Sequence, residues 1–135
     1  MIILDNSAAM EIAANTLIGS ALESFILSNE QIISCELMRA EAASAARAAK
    51  RREGLDYKQA YRRMTLAINL VDDFVAIEEL QDEAFRESVR LDHSVYDMFY
   101  FVLARRTGAT LLSTDRKLIR LCEENGVDCV HEIAI

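Results

Sequence analysis

The sequence predicts an α/β fold, in which a short parallel sheet of four to five strands is flanked by helices. Short apolar runs alternate along the chain with longer segments whose apolar residues recur at helical spacing. Strands that alternate with helices are typical of a parallel sheet covered on both faces. The 135 residues are 52% apolar and include no proline, which favours a compact, helix-rich chain. A single domain over residues 1–135 is therefore expected.

Five short apolar runs are the predicted strands, at residues 2–4, 31–34, 74–77, 109–112 and 127–133. The first run is followed at once by Asp5, and the fourth by Ser113, Thr114 and Asp115. In parallel sheets, ligands bind beyond the carboxyl ends of the strands. Asp5 and Asp115 are therefore predicted to lie at the ligand-binding edge.

Seven helices are predicted from apolar spacing, with approximate bounds 7–14, 16–27, 35–53, 56–71, 82–92, 95–107 and 115–125. Ser7, either Asn15 or Thr16, and Asp56 supply the side-chain oxygens of N-caps. Three of the helices end at glycines, because glycine adopts the left-handed conformation cheaply: Gly54, Gly108 and Gly126. The helices over 35–53 and 56–71 are expected to form a protruding hairpin.

Charge is distributed unevenly along this acidic chain. Fifteen basic and 22 acidic residues give a net charge of −7, which argues against a nucleic-acid binder that works by bulk charge. Residues 46–70 nevertheless carry seven bases and two acids. Such a block is either a solvated helical face or a local contact for a polyanion.

The cysteine pattern and the apolar runs indicate a cytoplasmic protein. Three cysteines without a close pair, Cys35, Cys122 and Cys129, are expected to be reduced thiols. The longest apolar run, residues 98–104, is too short to span a bilayer. Asp5 interrupts the apolar N-terminus, so no secretory signal is expected.

Four acids are placed where they could converge: Asp5, Glu41, Asp97 and Asp115. Asp97 lies in the first turn of its helix, and Glu41 points inward if the Ala-rich face of its helix packs on the sheet. Buried carboxylates without nearby bases repel one another and take up protons unless a cation binds them. Oxygen ligands of this kind suit Mg²⁺ or Mn²⁺. Glu36, nearer the strand end, is an alternative to Glu41.

Four motifs, taken in order, resemble those of the PIN domain and, more narrowly, of the VapC-type toxins of toxin–antitoxin pairs. They read MIILDNSA, CELMRAEAAS, SVYDMFYFVLA and ATLLSTDRKL. Each motif alone has low specificity for the family. The ordered set of four is specific, and it spans nearly the whole chain. The resemblance implies a PIN-like three-layer sandwich and an endoribonuclease that depends on Mg²⁺ or Mn²⁺.

The resemblance also assigns roles to residues. The family's metal-binding acids fall on Asp5, Glu41, Asp97 and Asp115. Its hydroxyl two residues after the first acid falls on Ser7, and Ser113 replaces a usual threonine while keeping the hydroxyl. Tyr100 lies one helical turn from Asp97 and is a candidate for a supporting contact. His93 and His131 are not expected to be metal ligands, because neither has a partner at metal-binding spacing.

Further implications concern binding partners. The resemblance implies an RNA substrate, a homodimer and a cognate antitoxin that covers the acidic site. Candidate RNA contacts are Arg51 and Arg52 in the basic block, and Arg116 and Lys117 beside Asp115. For each of these cations, a solvated surface side chain is the alternative.

Two other functions remain open at this point. One is a housekeeping PIN nuclease that processes RNA. The other is a non-enzymatic, receiver-like binding module, since receivers also place aspartates at strand ends. Receivers pair acids directly after their first strand, and the sequence Asp5, Asn6, Ser7 lacks that pair.

Overall fold

The computed structural model describes residues 1–130 and contains one parallel sheet. Its strands are β1 (Ile2–Leu4), β2 (Ile32–Cys35), β3 (Asp73–Val75) and β4 (Thr110–Leu112), in the order β3-β2-β1-β4. Ile3 is central, because it pairs with Ile33 on one side and Leu111 on the other. The predicted α/β class with a parallel sheet is confirmed.

The fifth predicted strand, over residues 127–133, is only partly within the described residues. A parallel bridge joins Cys129 to Leu111, on the outer side of β4. Residues 131–135, including His131, lie outside the part of the chain that the structure describes.

Seven helices flank the sheet within residues 1–130. They are α1 (Asn6–Ala13), α2 (Leu17–Glu23), α3 (Leu37–Glu53), α4 (Tyr57–Asn69), α5 (Ile77–Leu91), α6 (Val95–Thr107) and α7 (Arg116–Glu124). None of them is both long and apolar enough to cross a membrane.

The first helix differs from the prediction in its cap, whereas the second helix is capped by one of the two predicted residues. Asp5, not Ser7, caps α1, because the helix begins directly after β1 and the Asp5 carboxylate accepts from the Ala8 N–H. Thr16, not Asn15, caps α2 and accepts from the Gly19 N–H. Gly19 lets α2 approach α1 closely, since a Cβ there would lie 2.1 Å from the Glu11 carbonyl oxygen.

Helix α5 begins at Ile77, five residues earlier than predicted, and β3 ends at Val75. Ala76 has an extended conformation and turns the chain into the helix. Glu78 and Glu79 then lie in the first turn, where negative charge is favoured by the helix dipole. Polar residues at the start of α5 thus belong to the helix and not to the loop before it.

Helix α6 is the centre of the core. All seven residues from 98 to 104 are buried, which is the pattern of a helix surrounded by protein. It packs against β1, β2 and β4 and against α5. The hairpin of α3 and α4 packs against α1, so it is anchored to the rest of the protein and does not protrude freely. This packing brings the starts of α1, α3 and α6 toward one edge of the sheet.

Candidate active site

The carboxyl-end edge of the sheet carries four acids. Asp5 directly follows β1, and Asp115 is the third residue after β4. The two strand ends remain joined, because the Asp5 N–H donates to the Leu112 carbonyl at 3.2 Å. Glu41 lies in the second turn of α3, and Asp97 lies in the first turn of α6.

Asp5 is buried, with 4% of its surface exposed, and both carboxylate oxygens accept hydrogen bonds. Oδ1 accepts from the Ala8 N–H at 2.9 Å and from the Ser7 hydroxyl at 2.7 Å. Oδ2 accepts from the Ser113 hydroxyl. Burial raises the pKa of Asp5 to about 6, although these hydrogen bonds oppose the rise. The carboxylate is therefore held in one orientation but poorly solvated.

Ser7 and Ser113 connect Asp5 to the segment that carries Asp115. The Ser7 hydroxyl accepts from the Thr114 N–H at 3.0 Å, and the Ser113 hydroxyl accepts from the Asp115 N–H at 3.0 Å. Each serine thus donates to Asp5 and accepts from the loop after β4. Both residues were predicted to be supporting residues, and the structure places both in contact with Asp5.

Asp97 is the carboxylate that links the others electrostatically. Its negative charge raises the pKa of Asp5 and of Glu41, and the charge of Asp115 raises the pKa of Asp97 itself. Burial is the largest cause of the raised Asp97 pKa, and a hydrogen bond with His93 opposes it. Asp5, Glu41 and Asp115 therefore all lie near Asp97.

His93 contacts Asp97, and the sequence did not predict this contact. Its Nε2 lies 2.8 Å from Asp97 Oδ2, and only 12% of its side chain is exposed. The backbone before α6 is fixed, because the Ser88 hydroxyl donates to the His93 carbonyl and Asp92 adopts a left-handed conformation. No sequence pattern predicts this contact, because His93 lies in the loop before α6 and not on the helix that carries Asp97.

Glu41, and not Glu36, faces this cluster. The Tyr100 hydroxyl donates to Glu41 Oε1, and burial raises the pKa of Glu41. Burial and the Glu41 charge in turn raise the pKa of Tyr100, so the phenol remains a donor. Glu36 instead pairs with Arg39 at 2.8 Å, and the Arg39 guanidinium lies over the Phe74 ring.

Asp115 has two roles at the start of α7. Its Oδ1 accepts from the Lys117 N–H at 2.9 Å and from the Leu118 N–H at 3.3 Å, so it caps the helix. Arg116 and Lys117 are exposed beside it. Arg51 and Arg52 are also exposed but lie at the far end of α3, about 15 Å along the helix axis from Glu41. The structure brings Arg116 and Lys117 near the acids and leaves Arg51 and Arg52 distant.

The donor set suits a hard divalent cation. Three of the four acids have raised pKa values, so a positive charge placed among them would remove repulsion and restore ionisation. Within residues 1–130, no group of three or more His, Cys, Asp or Glu side chains is arranged so that it could hold a metal ion. An open set of carboxylates fits Mg²⁺ or Mn²⁺ chemistry, because Mg²⁺ retains waters and uses only one or two carboxylates.

Comparison with known protein families gives one match. The model of one family, described as the PIN domain, matches residues 2–124. No curated protein matches the chain.

Three solved structures are similar to the chain at low identity. PAE2754 from Pyrobaculum aerophilum has 22% identity and a TM-score of 0.68, with 88% of this chain and 82% of that chain covered. Mycobacterium tuberculosis VapC20, a toxin that cleaves the sarcin-ricin loop, has 19% identity and a TM-score of 0.64, with 90% and 95% covered. VapBC-1 from nontypeable Haemophilus influenzae has 16% identity and a TM-score of 0.63, with 96% and 97% covered. At these identities the likeness concerns the fold.

Proposed function

This chain belongs to the PIN-domain family, and from that membership we propose that it is a divalent-metal-dependent endoribonuclease, the toxin of a toxin–antitoxin pair. The observation that carries the proposal is the cluster at the sheet edge. Asp5, Glu41 and Asp97 are buried or half-buried acids with raised pKa values, and Asp115 lies beside Asp97. Burial of these carboxylates, together with repulsion between them, is a cost to stability that a catalytic metal site would explain.

The proposed ligands, which would bind directly or through water, are Asp5, Glu41, Asp97 and Asp115, with Mg²⁺ or Mn²⁺ as the ion. A bound divalent cation would supply Lewis-acid chemistry and stabilise charge on a phosphodiester. Because the ligands are all oxygen donors, hard cations of this class are favoured over Zn²⁺.

The protein's own residues position these ligands. Ser7 and Ser113 hold both oxygens of Asp5, so its carboxylate does not rotate. Tyr100 holds Oε1 of Glu41, which leaves Oε2 for other contacts. His93 holds Oδ2 of Asp97 in the same way. Each acid thus has an orienting partner, and such partners tune metal sites strongly.

The exposed cations beside Asp115 fit a polyanionic substrate. Arg116 and Lys117 extend from the first turn of α7, directly after one of the acids. Phosphates of an RNA strand that reaches the acids would lie within their range. We assign them to substrate positioning, while Arg51 and Arg52 would contact RNA only well away from the acids.

The toxin assignment is supported by two of the similar structures. VapC20 is a toxin, and VapBC-1 is a toxin–antitoxin complex by name. By this reasoning an antitoxin covers the acidic edge, and the protein acts in the cytoplasm, where RNA is its substrate. A homodimer is supported by an exposed apolar face on α5 and α6, which consists of Ile77, Phe85, Val89 and Tyr96.

Cleavage of pooled cellular RNA tests the proposal. The purified protein should cut RNA with Mg²⁺ or Mn²⁺ and not with EDTA, and Asp97→Asn should remove the activity while keeping the fold. Induction of the wild type in a bacterial host should also arrest growth. Cleavage without growth arrest would favour the housekeeping nuclease, and RNA left intact under every metal condition would reject the enzyme.

A further inference from the structure

A groove between α3 and α4 carries two exposed, stacked tyrosines. Its volume is about 270 Å³, and its lining residues are Ala43, Ala46, Arg47, Lys50, Tyr57, Ala60, Tyr61 and Met64. The rings of Tyr57 and Tyr61 are 6.1 Å apart between centroids and inclined by 18°. The chemistry of this surface differs from that of the acidic edge.

The two tyrosines are not core residues. Tyr57 is 73% exposed and Tyr61 is 52% exposed. Within residues 1–130 neither hydroxyl forms a hydrogen bond, so no polar contact explains why these side chains lie together. Adjacent flat aromatic faces on a surface are the usual means by which proteins stack on unpaired bases.

Cations surround the same groove. Arg47 and Lys50 line it, and neither forms an ion pair within the described part of the chain. The two acids of the 46–70 block are already engaged, because Glu53 pairs with Arg63 and Asp56 caps α4. Outside this block the chain has eight bases and twenty acids, so the groove is a positive region on a negative protein.

We propose that this tyrosine groove binds single-stranded RNA that flanks the cleaved bond, an inference that rests on the proposed ribonuclease function. Stacking by Tyr57 and Tyr61 holds bases, while Arg47 and Lys50 contact phosphates. RNA fits better than a protein partner, because cations without acidic partners line the groove. The apolar face of α5 and α6 is the more suitable protein interface.

The groove is separate from the cutting site. Lys50 follows Glu41 by nine residues, about two and a half helical turns, so it lies on the opposite face of α3. Arg47 is about 9 Å along the axis from Glu41. An RNA strand would reach the groove by crossing α3, within a few nucleotides of the acids. The groove should therefore govern affinity and KM, and not the chemical step.

RNA binding in EDTA tests the groove without cleavage. A fluorescent 16-nucleotide RNA of mixed sequence would be titrated with the full chain, and anisotropy would report Kd. Tyr57→Ala with Tyr61→Ala should raise Kd about tenfold or more, which corresponds to the loss of base stacking. The pair Tyr57→Phe with Tyr61→Phe should bind as the wild type does. Phe25→Ala, which changes an exposed aromatic that follows α2, is the matched control and should leave Kd unchanged.

Salt dependence gives a second, independent test. Arg47→Gln with Lys50→Gln should lower the slope of log affinity against log salt by about 1.4, since each phosphate contact to a single strand contributes about 0.7. This variant keeps the tyrosines, so it tests RNA binding at the groove even if the alanine pair fails to fold. An unchanged slope would count against phosphate contacts at the groove.

The outcomes separate the two proposals. If the wild type binds RNA through the tyrosines but never cleaves it, the groove stands and the ribonuclease function fails. If the wild type cleaves RNA and the alanine pair binds within twofold of the wild type, the function stands and the groove assignment is overturned. If the alanine pair loses self-association while its RNA affinity is unchanged, the groove is a protein interface. If the wild type does not bind RNA in EDTA, the groove assignment is also overturned.

Discussion

Asp5→Asn is expected to stabilise the metal-free protein at neutral pH. In the wild type, burial raises the pKa of this carboxyl from 3.8 to about 6. The folded state therefore holds its proton more tightly than the unfolded state does. The contribution of the protonated Asp5 carboxyl to the free energy of unfolding is fully present below pH 3.8 and is lost as the pH rises through 6.

The magnitude follows from the size of the pKa change. At about 1.4 kcal/mol for each pKa unit, ionisation of Asp5 costs the folded state about 3 kcal/mol at neutral pH. About 2 kcal/mol of that loss falls between pH 4.5 and 7.5. Asparagine has no charge to bury, and its amide oxygen can still accept from the Ala8 N–H and the Ser7 hydroxyl.

Urea denaturation in EDTA at pH 4.5, 6.0 and 7.5 measures the effect. The free energy of unfolding of Asp5→Asn relative to wild type should rise by about 2 kcal/mol across this range. Asp82→Asn, which changes an exposed carboxylate on α5, is the matched control and should show no such trend. Added Mn²⁺ should stabilise the wild type more than Asp5→Asn, because the ion binds the folded state through this carboxylate. Parallel profiles for wild type and Asp5→Asn would refute the reasoning.

Three further substitutions test the contacts around the acids. His93→Ala should raise the metal concentration needed for half-maximal cleavage by about tenfold, because Asp97 loses its orienting partner. Asp82→Asn is the exposed control, and equal metal requirements of His93→Ala and the wild type would contradict the role of His93. Ser113→Ala should lower the free energy of unfolding by about 1–3 kcal/mol in urea melts, because it removes a buried donor to Asp5 and an acceptor for the Asp115 N–H. Ser113→Thr is the control and should keep both hydrogen bonds. Glu41→Gln should abolish RNA cleavage and Glu36→Gln should retain it, since only Glu41 lies near Asp97. Cleavage by Glu41→Gln, together with loss of cleavage in Glu36→Gln, would make Glu36 the functional acid.

The sequence predicted the positions of the acids along the fold better than their contacts. Asp5 and Asp115 follow apolar runs that could only be strands, so their common edge followed from the parallel sheet. The choice between Glu36 and Glu41 depended on which face of α3 packs inward, and spacing alone left it open. In the structure Glu41 contacts Tyr100, and this contact supports Glu41 as the proposed ligand.

Contacts that depend on loop geometry were not predictable. His93 reaches Asp97 because Asp92 adopts a left-handed conformation at the end of α5, which nothing in the local sequence requires. Asp5 acts as the cap of α1 because no loop separates β1 from the helix. Asp and Ser are about equally good caps, so residue preference alone did not distinguish Asp5 from Ser7. The stacking of Tyr57 on Tyr61 follows from their spacing of four residues on α4, but their exposure depends on how α4 packs against α1 and α3.

A parallel titration of Mn²⁺ binding and RNA cleavage tests the metal-dependent site most directly. Wild-type protein should bind Mn²⁺, and the concentration for half-maximal cleavage should match the concentration for half-maximal binding. Asp97→Asn should lose both together, while Asp82→Asn should retain both. Cleavage by the wild type in EDTA, or Mn²⁺ binding and cleavage by Asp97→Asn at wild-type levels, would contradict the assignment of the acidic edge as the catalytic site.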